Sequence, residues 1–161
     1  TFVQCFLFGV FFHFHDALPK GEQYVKTEIP GSISTKNMYT TVDKKEELEA
    51  LGGYLTQNHL TEKKVLLYGE IPAISYIFDM EPAVYTTWAD LRSNTLERLQ
   101  ADLDAITTDY PVVIVTDAIG QELSGNTSYV DEKLDAIAQF LSRGNYQCGY
   151  AQKGYYVYTS Q

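Results

Sequence analysis

The sequence predicts a single α/β domain, organised as a three-layer Rossmann-like sandwich with a mainly parallel sheet and an antiparallel C-terminal hairpin. Residues 65–68 and 111–117 are compact runs rich in Val, Ile and Leu, which is typical of strands buried on both faces. Amphipathic helical segments alternate with these runs, and that alternation favours a parallel sheet with helices on both faces. The closing segments, 147–151 and 155–159, flank Lys153-Gly154 and therefore indicate a hairpin.

Four segments carry the apolar spacing or the terminal signals of helices, namely 44–59, a short helix opened by Pro72, 93–107 and 129–143. In the first of them, Leu48, Leu51 and Leu55 recur at helical spacing and predict one buried face. A proline at the first helical position loses no hydrogen bond, which is why Pro72 indicates a helix start. Gly144 closes the last helix.

The other segments are predicted to be short strands or loops. Residues 83–86 are expected to form a second short strand after the run at 65–68, and 117–128 a polar loop. Residues 17–42 contain several glycines and prolines and are expected to be irregular, with short extended pieces near 24–29 and 37–41.

Residues 1–16 form an apolar segment, which precedes a single α/β domain at 17–161. The apolar run at 2–14 is shorter than the roughly 20 residues needed to span a bilayer. It also lacks the basic start and cleavage site of a signal peptide. Two interpretations stay open: the end of a transmembrane helix, or a buried strand of the sheet, as its aromatic content favours in an isolated domain.

The composition argues against several classes of protein. The chain of 161 residues has a net charge of −9 and shows no basic stripe, which argues against nucleic-acid binding. No Lys/Arg cluster is present that would bind anionic lipid. Its two cysteines, Cys5 and Cys148, form no CxxC pair, so a structural zinc site and thioredoxin chemistry are not expected.

The candidate ligand site lies where the predicted strands end. Glu70 and Asp117 follow the carboxyl ends of the two apolar strands, the edge at which open α/β sheets bind ligands. Trp88 and Asp90 lie on the loop after the strand predicted at 83–86 and are expected to share that edge. Carboxylates there can perform acid–base work or hold a polyol such as a sugar. The simpler alternative, solvated loop ends and helix caps, is more frequent for such residues.

Other motifs give weaker indications, and we assign no catalytic residue, metal or cofactor from them. His13 and His15 alternate, as metal ligands on one side of a strand do, but the third histidine, His59, lies on a predicted helix. Gly69 stands between a strand and a helix, where dinucleotide folds bind phosphate, yet no GxGxxG run surrounds it and Glu70 would repel an anion. No GxSxG elbow of a serine hydrolase occurs.

A family resemblance rests on segments spread over nearly the whole chain: the apolar run ending in Phe14-His15-Asp16, Thr40-Thr41, residues 65–73, Trp88-Ala89-Asp90-Leu91, 111–115 and 155–158. In this order they resemble the C-terminal soluble region of bacterial multi-pass membrane glycosyltransferase-like proteins. Those proteins are similar to the protein mannosyltransferase and lipid A aminoarabinose transferase superfamily. His15 departs from the pattern, which has an arginine before the aspartate.

The resemblance implies a domain on the extracytoplasmic side of the cell membrane, behind a bundle of transmembrane helices that ends in residues 2–14. Members of the superfamily transfer sugars from a lipid-phosphate donor. Their catalytic acid lies in a loop between early membrane helices, which this chain lacks, so no catalytic residue is carried over. The implied partners are the membrane helices of the parent chain and a glycan or lipid-linked sugar.

Three functional hypotheses follow. The first is a non-catalytic accessory domain of a membrane-bound glycosyltransferase-like protein, which helps to position a glycan or acceptor. The second is a free-standing ligand-binding α/β module that uses the loops at Glu70, Trp88 and Asp117. The third and weakest is a metal-dependent hydrolase that acts through His13 and His15.

Overall fold

The computed structural model describes residues 25–27, 34–35, 38–125, 129 and 131–161. Its helices and strands, in chain order, are β1 (Val25–Thr27), β2 (Met38–Thr40), α1 (Val42–Gln57), β3 (Val65–Tyr68), α2 (Ala73–Ile77), α3 (Leu96–Ala105), β4 (Val112–Thr116), α4 (Asp117–Gly125), α5 (Glu132–Arg143), β5 (Tyr146–Gln152) and β6 (Tyr155–Ser160). The apolar segment at 1–16 lies outside the described residues. No helix in the described ranges is long and apolar enough to cross a membrane.

Four strands form one mixed sheet in the order β3-β4-β6-β5. Only β3 and β4 are parallel, with Leu66 opposite Val113, whereas β4–β6 and β6–β5 are antiparallel. The prediction of a three-layer Rossmann-like sandwich with a mainly parallel sheet is therefore wrong, and the protein is a small mixed α/β domain. The C-terminal hairpin is confirmed by the pairing of β5 with β6. The two extended pieces near residues 24–29 and 37–41 pair as β1 and β2.

The strand predicted at 83–86 does not form, and its absence removes one of the expected parallel strands. Pro82 makes only an isolated parallel bridge to Val65, and a proline cannot donate a ladder hydrogen bond. Three residues later, the Tyr85 N–H donates to the Asp102 carboxylate at 2.9 Å. This N–H is therefore not used in a hydrogen bond between strands. β4 has β3 as its neighbour on one side and the antiparallel strand β6 on the other.

The polar loop predicted at 117–128 is also wrong, because residues 117–125 form α4. Ile119 and Leu123, one helical turn apart, pack against the apolar cluster that contains Leu66 and Val113. Gly120 lies directly beneath the ring of Tyr156, where a Cβ atom would overlap the ring. Gly120 is therefore the residue that lets α4 approach β6.

The four predicted helices are confirmed, with small shifts at their ends. Thr41 is the N-cap of α1 and accepts from the Lys44 N–H at 3.3 Å. Asp131 caps α5 in the same way, accepting from Lys133 N–H at 2.9 Å. Gly144 ends α5, as predicted.

The core lies on both sides of the sheet because alternate strand residues point to opposite faces. Leu67 and Ile114 pack with α1 and α2 on one face. Leu66 and Val113 pack with α3 and α5 on the other. This arrangement fixes β3 and β4 at the centre of the apolar contacts and leaves their carboxyl ends at the border of the domain.

Candidate functional site

A tight turn follows β3 at the edge where the parallel strands end. Gly69 has φ 106° and Glu70 has φ 60°, both in the left-handed region that glycine adopts most easily. A Cβ atom on Gly69 would come within 2.5 Å of Thr116 Oγ1, at the end of β4. The glycine therefore serves both the backbone conformation and the close approach of the turn to β4.

The turn is joined to the loop at 82–95 by one hydrogen bond. The backbone N–H of Glu70 donates to Asp90 Oδ2 at 2.7 Å. Two of the four predicted ligand-binding residues are thereby brought into direct contact. Glu70 is exposed and Asp90 half-buried, so both carboxylates lie close to solvent at this edge.

The loop itself is held to neighbouring helices by further hydrogen bonds. Lys133 Nζ, from α5, donates to Leu91 O at 2.8 Å. The buried Asn94 donates through Nδ2 to Ala89 O at 2.9 Å. With the Asp102 contact to Tyr85 described above, these bonds hold the loop to α3 and α5 and join Asn94 to Ala89 within it. A loop ordered in this way loses little conformational entropy when it binds a ligand.

Three large apolar side chains of this fixed loop face solvent. Trp88 and Leu91 are each 38% exposed, and Tyr85 is 71% exposed. The guanidinium of Arg98 stacks on the Tyr85 ring, 3.4 Å from its centroid. Trp88, the third predicted residue, therefore stands as an exposed aromatic ring two positions from Asp90.

Asp117, the fourth predicted residue, has a structural role in α4. Its N–H donates to Gly154 O at 2.9 Å, and its Oδ2 accepts from Gln121 Nε2 at 2.6 Å. It follows β4 directly, next to the contact between Thr116 and Gly69, but its carboxylate is used within its own helix. The strongest candidate group is thus Glu70, Trp88 and Asp90.

A polar contact that no sequence pattern indicated lies beneath this edge. The hydroxyl of Tyr68, a side chain only 2% exposed, donates to Asp131 Oδ2 at 2.9 Å. Burial, followed by the hydrogen bond to Asp131 and by the nearby charges of Asp131, Asp90 and Glu122, raises the pKa of the Tyr68 hydroxyl above its ordinary value. The two residues are 63 positions apart, and the only signal in the sequence is an aspartate placed to cap a helix.

Two surface depressions lie away from this edge. The larger, of about 470 Å³, lies between α3 and α5 and is lined by Gln100, Leu103, Asp104, Ala136, Gln139, Phe140 and Arg143. The smaller, of about 190 Å³, lies near Lys64, Ala83 and Asp109. Neither contains any of the predicted site residues.

No group of three His, Cys, Asp or Glu side chains lies close enough to hold a metal ion within the part of the chain that the structure describes. His13 and His15 fall outside that part, so the metal-dependent hydrolase hypothesis stays a prediction. His59 is exposed just after the end of α1. Glu70 in the turn at Gly69 carries a carboxylate, and Asp90 on the adjoining loop carries a second one, and both would repel a phosphate.

Comparisons of the chain with protein-family models, with characterised proteins and with solved structures find no match. The family resemblance of the sequence therefore remains an expectation. The residues at the end of β3 and on the loop at 82–95 are the structural basis on which a function can be proposed.

Proposed function

We propose that this chain is a non-catalytic accessory domain of a bacterial membrane-bound glycosyltransferase-like protein, placed on the extracytoplasmic side of the cell membrane. Its role would be to position a glycan or sugar acceptor for chemistry performed elsewhere in the parent protein. The sequence resemblance supports the membrane setting. The observation that supports the binding role is the 2.7 Å hydrogen bond from the Glu70 N–H to Asp90, which joins the exposed Glu70 to the loop that carries Asp90 and the exposed Trp88.

This group of residues matches the chemistry of a sugar. Ionised carboxylates only accept hydrogen bonds, and sugar hydroxyls can donate to them. An exposed indole offers a flat apolar surface on which the C–H face of a sugar ring can stack. The negative charges of Glu70 and Asp90 disfavour a phosphate at the same place. The edge therefore suits a neutral glycan better than the phosphate part of a lipid-linked donor.

The same residues favour positioning over catalysis. Tyr68 is held protonated beneath the edge, since its pKa is raised, and it donates to Asp131. Asp90 accepts from a backbone N–H, a bond that fixes the loop. A free-standing ligand-binding module would use the same edge, so binding alone does not separate the two hypotheses, whereas the cellular location does.

A titration of the full chain with mannotriose, followed by intrinsic fluorescence, tests the binding role. Trp88 is the only tryptophan, so the indole signal reports on this loop alone. We expect a saturable change. Glu70→Gln and Asp90→Asn should each weaken binding about tenfold, because a hydrogen bond to a charged group contributes about 1.5–3 kcal/mol.

Glu62→Gln is the matched control, since Glu62 is an exposed carboxylate in the turn between α1 and β3, outside the candidate edge. It should bind like the unchanged chain. A flat fluorescence response to mannotriose and to chitotriose would contradict the binding role, and so would an equal loss of affinity in the control variant.

A further inference from the structure

Residues 85–88, within the loop at 82–95, form an arch between two buried positions. Val84 on one side of the arch and Ala89 on the other are buried in the same apolar cluster. Inside the arch, the Trp88 N–H donates to Thr86 Oγ1 at 3.1 Å and closes a tight turn. Because both ends of the arch are anchored in one cluster, its exposed side chains stand out from one surface of the domain.

The first and last residues of the arch carry aromatic rings. Tyr85 is 71% exposed and Trp88 is 38% exposed. Three peptide units separate the two residues, so their Cα atoms are at most about 11 Å apart. Among the described rings, Tyr85 and Trp88 do not pack on each other. The arch therefore offers two separate aromatic surfaces that lie close together.

Tyr85 is fixed through its backbone and through its ring. The Tyr85 N–H donates to Asp102 Oδ2 at 2.9 Å. The guanidinium of Arg98 covers one face of the ring, 3.4 Å from its centroid. A ring that is held from one face can present its other face to a ligand with little further loss of conformational entropy.

The guanidinium of Arg98 also places hydrogen-bond donors beside this ring. Arg98 is exposed, and its side chain makes neither an ion pair nor a hydrogen bond with a described residue. Glu97 precedes it, and Asp102 lies one helical turn further along α3. These two carboxylates offset the attraction of the guanidinium for an anion. Its N–H groups therefore suit the oxygen of a neutral hydroxyl.

We propose that Tyr85 and Arg98 form a second sugar subsite next to Glu70, Trp88 and Asp90, and that the ligand is a neutral oligosaccharide. This inference rests on the proposed function, because it extends the same site. The carboxylates of the first subsite only accept hydrogen bonds, whereas the guanidinium of the second only donates them. Sugar hydroxyls do both. Two separate aromatic surfaces on one arch fit successive units of a sugar chain better than a monosaccharide.

Calorimetric titrations of the full chain test the second subsite, with the trisaccharides mannotriose and chitotriose and with their units, mannose and N-acetylglucosamine. The trisaccharide that binds should do so at least about tenfold more tightly than its unit. Tyr85→Ala should weaken the binding of this trisaccharide about tenfold and leave that of its unit unchanged, because a single sugar occupies only the subsite at Trp88.

Two further variants sharpen the test. Arg98→Met keeps an apolar stem beside Tyr85 but removes the N–H donors, and it should weaken trisaccharide binding about fivefold. Tyr39→Ala is the matched control, because Tyr39 is a 58% exposed tyrosine in β2, outside the loop. It should bind all four sugars like the unchanged chain.

The outcomes separate this inference from the proposed function. Equal trisaccharide affinity in Tyr85→Ala and the unchanged chain would overturn the second subsite and leave the binding role of Trp88 in place. Equal affinity of the unchanged chain for a trisaccharide and its unit would overturn the subsite too, and so would an equal loss in Tyr39→Ala. No binding of any of the four sugars would overturn both the subsite and the proposed function.

Discussion

At the scale of single residues, the contact between Tyr68 and Asp131 joins the end of the central strand β3 to the start of α5. Tyr68→Phe removes only the hydroxyl that donates to Asp131 at 2.9 Å. We expect this variant to lower the free energy of unfolding by about 1 kcal/mol, because the exposed Asp131 can be hydrated in its place. Urea unfolding measures the change.

The control for this prediction is Tyr76→Phe, which removes a hydroxyl from a side chain that is 64% exposed. Its unfolding midpoint should equal that of the unchanged chain. If Tyr68→Phe were as stable as Tyr76→Phe, the buried hydrogen bond would not contribute to stability.

The raised pKa of Tyr68 also predicts how stability depends on pH. Burial and the hydrogen bond to Asp131 keep this phenol protonated in the native state, whereas in the unfolded chain it titrates near its ordinary pKa of about 10. Below that pH both states hold the proton and the stabilisation is complete. Above it the unfolded state loses the proton first, so the free energy of unfolding falls as the pH rises.

Urea unfolding between pH 7 and pH 11.5 checks this dependence. The decline should begin near pH 10 and should be less steep in Tyr68→Phe. Burial also raises the pKa of Tyr146, so part of the decline should persist in that variant. Identical slopes for the two proteins would show that Tyr68 does not take part.

At the scale of structural elements, substitution by alanine should change the stability in opposite directions at two helical glycines, Gly120 and Gly53. In Gly120→Ala, the new methyl group would overlap the ring of Tyr156, so α4 has to move from β6 at a cost of about 1–3 kcal/mol. In Gly53→Ala, within α1, the methyl group meets open space. This variant should gain up to about 1 kcal/mol, because alanine favours a helix over glycine.

Thermal unfolding of both variants measures the difference, and each serves as the control of the other. A lower melting temperature for Gly120→Ala and a higher one for Gly53→Ala are expected. Two shifts of the same sign would contradict the close packing of α4 on β6.

The loop at 82–95 gives a further prediction at this scale. Asp90→Ala removes the acceptor of the Glu70 N–H. We expect the Glu70 amide to exchange with deuterium about tenfold faster, since a backbone group that loses its partner becomes open to water. Glu62→Ala is the control and should leave this amide unchanged. Unaltered exchange in Asp90→Ala would mean that the bond does not hold the loop.

The elements that could be predicted from the sequence are those with a strong local pattern. The apolar runs that form β3 and β4 stand out against polar neighbours, and the hairpin is marked by Lys153-Gly154, which takes positive φ values. Helix α4 was missed because its apolar face consists mainly of Ile119 and Leu123, with polar or small residues around them. The packing of Gly120 against Tyr156 depends on a tertiary contact that no local pattern shows.

At the scale of the whole molecule, the predicted mainly parallel sheet of a three-layer Rossmann-like sandwich is wrong, because only β3 and β4 are parallel. Strand–helix alternation favoured a mainly parallel sheet, but β6 arrives from about 40 residues further along the chain and pairs antiparallel with β4. The position of Glu70 depended only on where β3 ends, so it survived the change of fold. Asp90 was placed at the same edge because of a strand at 83–86 that does not form, and it reaches the edge through its hydrogen bond from the Glu70 N–H. The pair of Tyr68 and Asp131 required the full topology and could not be foreseen.

The proposed function places this domain in a membrane-bound protein, on the extracytoplasmic side of the cell membrane. The most direct test is fractionation of cells that produce the native full-length protein, followed by protease treatment of intact protoplasts and detection with an antibody against residues 38–161. We predict recovery in the membrane fraction and cleavage by external protease. Recovery in the soluble fraction as a protein of about 18.2 kDa, protected from protease until lysis, would contradict the account.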